Sequence, residues 1–133
     1  MDECPDLGRF VRGELSAAGF AHRDHLRMAF EMLRRHDFAE TTLHFSRALR
    51  AMARNAGKPE AFHQTITIAF LAVIAERMDG LECADFSAFE RANPDLLDKR
   101  MLQRWYGCER LSSERARRTF LLPEPAASAG GDQ

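Results

Sequence analysis

Three histidines are the residues whose type and spacing bear most directly on chemistry. His22 and His25 stand three apart, and His63 opens a long apolar run further along the chain. On a helix, positions i and i+3 share a face, so the first two imidazoles can be aimed at one point, and a third from a facing helix would close a triangle. Neutral imidazole is a good ligand for iron, copper and zinc, and three histidines leave a position open for water or substrate. The expectation is a transition-metal site at His22, His25 and His63, with Asp24, Thr65 and Thr67 orienting the ligands or a bound water. Asp24 is also a candidate fourth ligand, and His25, His63 and Asp24 together match the two-histidine, one-carboxylate set that binds iron. An ion held this way would act on a small-molecule substrate as a Lewis acid or as an oxygen-activating centre. Against this stands a structural reading: His22 at an exposed helix start, His25 flanking the core, His63 hydrogen-bonded within a first turn.

Other chemistry is thinner. His36, His44 and Glu40 form a competing set, read as solvated or structural. Glu76 lies about 20 Å along the helix from His63 at roughly 1.5 Å per residue, so the two cannot share an ion. Glu76 and Arg77 read as a structural ion pair, or as an inter-helix hydrogen-bond donor and acceptor, rather than as acid and base, since no second carboxylate has useful spacing. The chain has no glycine-rich phosphate loop, no G-x-S-x-G and no H-E-x-x-H. Nothing local marks Cys83 or Cys108 as a nucleophile. Arg110, Arg115, Arg117 and Arg118 follow Trp105 and Tyr106, but Glu109 and Glu114 dilute them. They read as a solvated face, because nucleic-acid binding would want a basic stripe reaching other elements.

The elements that must position these residues are helical. Apolar spacing follows a 3-4 period nearly throughout, and no stretch alternates long enough for a sheet, which predicts an all-α, single-domain bundle of about five to seven helices over residues 1–125. A weak first helix is expected from Pro5 to Ala18, stopped by Gly19. A second runs from about Arg23 to Arg35, with Leu26, Ala29, Phe30 and Leu33 inward and Arg27, Glu31 and Arg34 outward. Asp37 and Glu40 cap a third that reaches Asn55 and stops at Gly57. Pro59 and Glu60 start a fourth that runs to Met78 before Asp79-Gly80, apolar nearly all round from Ile66 to Ala75, and therefore central. Short connections make neighbours antiparallel, which puts the starts of the second and fourth helices, and with them all three histidines, at one end. Beyond Gly80 shorter pieces follow: Ser87 and Glu90 capping or extending a short helix, Asn93 as an N-cap with Pro94 after it, a stretch helical in pattern from Leu96 to Tyr106, and a last helix from Ser112 or Ser113 to Phe120. Residues 126–133 read as a disordered tail.

Composition bounds the rest. The 133 residues carry 19 Lys+Arg against 20 Asp+Glu, a formal charge of -1 that supplies no global pull toward nucleic acid or an anionic membrane. No 18-residue apolar run exists, and the first residues lack the basic and apolar regions of a secretory leader, so a cytoplasmic protein is expected. Three well-separated cysteines, Cys4, Cys83 and Cys108, suggest neither a disulfide framework nor a zinc finger, and read as reduced thiols.

The run Phe20-Ala21-His22-Arg23-Asp24-His25-Leu26-Arg27-Met28-Ala29-Phe30, with Phe62-His63-Gln64-Thr65-Ile66-Thr67, resembles a family of small bacterial proteins reading H-x-D-H-hydrophobic-R-x-A-aromatic and then aromatic-H-x-T-I-T. The similarity extends from about Phe20 to Pro125, through Leu102 to Tyr106 and Arg110 to Phe120. It implies an all-helical fold and weight on His22, His25 and His63, and supplies no substrate. The first reading is thus a helical protein binding iron, copper or zinc. The second is a non-catalytic interaction or regulatory module that meets a protein partner through its Arg-rich end, Trp105 and Phe120. The third is a pocket for an apolar ligand among Met28, Met32, Met52 and Phe70.

Overall fold

The computed structural model describes residues 6–81 and 85–124 and is an all-α bundle, with no strand among those residues. Pro5, Cys4, Cys83 and the expected tail lie outside the described residues. Helix α1 is Leu7–Val11, α2 His22–Arg35, α3 Phe38–Asn55 and α4 Gln64–Met78, followed by α5 Phe86–Ala92, α6 Cys108–Leu111 and α7 Glu114–Arg118. No helix among the described residues is long and apolar enough to cross a membrane.

The first helix stops well short of Ala18. The chain turns at Gly13, whose φ of 73° suits a residue without a side chain. A Cβ there would sit 2.8 Å from that of Ala51, so the glycine also lets the turn close against α3. Helix α2 begins where Asp24 Oδ2 accepts the Ala21 N–H at 2.8 Å, and α3 begins where Asp37 Oδ1 accepts the Glu40 N–H at 2.8 Å. The inward stripe of α2 is wider than its sequence suggests. Glu31, expected on the outer face, is only 2% exposed and is held by Arg35 at 2.8 Å and Arg34 at 3.5 Å.

The expected continuous fourth helix is divided. Pro59–Ala61 forms a 3-10 turn, and α4 proper starts only after His63. Thr65, Phe70, Leu71 and Ile74 are buried, whereas Ile66 is 40% exposed because it stands at a cavity. The segment expected to be helical to Tyr106 resolves into two 3-10 turns, Pro94–Leu97 and Met101–Arg104. Ion pairs rather than helical periodicity fix its path. Arg77 does not pair with the exposed Glu76; it grips Asp95 at 2.8 and 3.0 Å and Asn93 Oδ1 at 2.9 Å, while Arg104 reaches Asp95 at 3.0 Å. Helix α5 is capped by Asp85, through the Ala88 N–H at 3.0 Å, rather than by Ser87.

Phe10, Phe30, Phe45 and Phe89 are fully enclosed and form the centre of the core with Leu26, Leu71 and Ile74. The C-terminal segment after α7 is strapped across the start of α4. Thr65 Oγ1 donates to Thr119 O at 2.7 Å and accepts the Leu121 N–H at 3.0 Å, and Tyr106 donates its hydroxyl to Leu121 O at 2.8 Å.

Candidate functional site

At the end of the bundle where α2 and α4 start lies a cavity of about 380 Å³. His22 and His25 line it from the first turn of α2, Phe45, Leu49 and Met52 from α3, and His63, Ile66, Thr67 and Phe70 from the cap and first two turns of α4. Phe20, Phe62, Met101 and Leu102 complete an apolar wall, and Asp98 and Lys99 stand in the loop between the two 3-10 turns. All three sequence-marked histidines therefore share one chamber.

Their ring nitrogens are not arranged as a ligand triangle. His63 has both committed: Nδ1 accepts the Ile66 N–H at 3.1 Å as the cap of α4, and Nε2 donates to Leu111 O at 2.7 Å. That pair of bonds matches the tautomer that carries its hydrogen on Nε2. His22 Nε2 donates to Leu96 O at 2.9 Å, tying the first 3-10 turn of that segment to α2. His25 Nδ1 donates to Ala21 O at 3.1 Å, and Phe20 packs edge-on against its ring at 4.6 Å between centroids. Burial pushes the His25 imidazole below its ordinary value of 6.5; the bond to Ala21 and the charge of Asp24 oppose this, while His22 and Lys99 add to it. Among the described residues no group of three or more His, Cys, Asp or Glu is placed to hold a metal ion.

The residues expected to support a metal have other work. Asp24 caps α2 and does not line the cavity. Thr65 is spent on the C-terminal strap. Thr67 lines the cavity but donates its hydroxyl to His63 O at 2.7 Å. Of the apolar set marked in the sequence, Met52 and Phe70 line the chamber, and Met28 and Met32 are buried elsewhere in the core. His36 and His44 lie apart from it, with ring centroids 6.2 Å from each other and His36 Nδ1 3.6 Å from Glu40.

What remains available in the chamber is specific. His25 Nε2 and His22 Nδ1 have no hydrogen-bond partner among the described residues, and neither is a sealed atom. Asp98 is neutralised by Arg100 at 3.2 Å, whereas Lys99 has no ion-pair partner among the described residues. Sequence reading missed Lys99, Met101 and Leu102, because the loop carrying them is positioned by Arg77 and Asp95, a pairing that no local pattern announces. Comparison with protein-family models, curated proteins and solved structures finds no match for the chain.

Proposed function

We propose that the protein binds a small, largely apolar organic molecule with one polar end in the histidine-lined cavity. The observation that carries this reading is the chamber itself: its volume lies in the range of small-molecule pockets, its wall is mostly phenylalanine, leucine and methionine, and few polar groups in it remain unengaged. In this reading His22 and His63 are structural and His25 Nε2 is the acceptor that meets the ligand, with Lys99 at hand for a negative end. An exposed free thiol at Cys108 suits a cytoplasmic setting.

A metal ion on His22 and His25 is the second reading, favoured by their two unengaged nitrogens on one wall. His63 would join only by surrendering the α4 cap or its bond to Leu111.

The test is titration with anilinonaphthalene sulfonate, an apolar fluorophore with one anionic group, alongside elemental analysis of protein purified without chelator. Ala61 is exposed and lines the cavity, so Ala61→Trp obstructs the site without disturbing the core. Saturable one-to-one binding, weakened at least about tenfold in Ala61→Trp, is expected. Binding unchanged in that variant would sink the reading. About one equivalent of iron, copper or zinc, lost in His25→Gln, would favour the second.

A further inference from the structure

A second cleft, of about 290 Å³, shares Phe62 with the histidine chamber and is lined by Arg50, Arg54, Pro59, Phe62, Arg117 and Arg118. Arg50 and Arg54 are one turn apart on α3, and the other two guanidinium groups come from α7. The C-terminal arginines, which alone read as a solvated face, are thus joined by basic residues from an element more than fifty positions earlier.

The four groups are in different states. Arg50 is fixed, with its guanidinium 4.8 Å from the centroid of the Phe62 ring and Nη2 donating to Gln64 Oε1 at 3.0 Å. Arg117 and Arg118 share a single carboxylate, Glu114, the latter at 3.3 Å. Glu60 is the other acid whose field reaches Arg117. The Arg54 guanidinium has no hydrogen bond or ion pair among the described residues. Among the described residues positive charge therefore exceeds negative in the cleft, and several guanidinium N–H groups have no protein acceptor.

We propose that this cleft binds an organic phosphate or diphosphate. A carboxylate presents two oxygens in one plane and is met by one or two guanidinium groups, whereas a phosphate presents three terminal oxygens and can engage more forks from different directions. Convergence of guanidinium groups from two helices matches the second geometry. The cleft has room beyond one inorganic phosphate, and Phe62 gives it an apolar wall for the organic part. The inference stands independently of the ligand assigned to the histidine cavity.

Isothermal titration of the full chain with sodium pyrophosphate, at ionic strength held constant with sodium chloride, tests it. Saturable one-to-one binding is expected, weakened at least about tenfold by Arg54→Ala. Arg54 is exposed, so this variant keeps its fold. Arg91→Ala, an exposed arginine on α5, should leave binding unchanged. Absence of saturable binding, or equal weakening by the two substitutions, would overturn the proposal. So would binding of an RNA oligonucleotide under conditions where pyrophosphate does not bind.

Discussion

The histidines show what residue types can and cannot reveal. Their spacing placed all three at one end of the bundle, because periodicity and short connections determine which helix ends come together. What each nitrogen does was not legible, since the carbonyls that accept from His22 and His63 belong to Leu96 and Leu111, 74 and 48 positions away. His63→Ala should lower stability by about 1–2 kcal/mol through loss of the cap and the long-range bond. His63→Asn should regain the capping part of that loss. Urea melts with and without chelator check this, and a structural role requires the same loss in both. His25 gives a pH signature. Its proton affinity is depressed in the folded state, so the unfolded chain binds the proton more readily. Its contribution is fully present above pH 6.5 and falls as pH drops from there toward the lower folded value, and His25→Gln should flatten that portion of a stability-against-pH curve measured by urea midpoints.

The long helices were legible as elements and the short ones were not. Helix α3 carries its start and stop in Asp37 and Gly57, and α4 declares its central place by an apolar run, although Pro59 begins a separate turn rather than the helix itself. The 94–104 segment offered Asn93-Pro94 and a helical pattern, but Asn93 makes no side-chain cap bond there and the course is set by one carboxylate held by two arginines. That arrangement, led by the Arg77 hydrogen bonds, holds the Asp95 carboxyl at about 2 against an ordinary 3.8. A depressed carboxylate stabilises the fold above its unfolded value, so this contribution is present above pH 3.8 and is lost as pH falls through about 2. With Asp95 and Arg77 side chains each 29% exposed, solvent screening reduces the effect, and Asp95→Asn should lower stability at neutral pH by about 1 kcal/mol. Denaturant midpoints at pH 7 and pH 2.5 check it, because the difference between parent and variant should shrink at the lower pH.

At the scale of the molecule, an all-helical bundle follows from the sequence, but its closure by the C-terminal strap does not, since an extended segment has no periodicity to read. Thr65 is the clasp: a fully buried hydroxyl that serves both a carbonyl and an amide of the strap. Thr65→Val keeps its shape and leaves those two groups unpaired, so it should lower global stability by about 1–3 kcal/mol. Hydrogen exchange at Leu121 should accelerate more than that at mid-α3 amides; uniform acceleration would count against the clasp. One ring carries a larger implication. Phe62 belongs to the lining of both the histidine chamber and the arginine cleft. Any rotation of that ring reshapes two compartments at once, one greasy and one cationic. Occupancy of either compartment that favours one ring position therefore changes the affinity of the other, by the same factor in both directions. The two proposed sites are thus coupled only through ligands that prefer different positions of that ring.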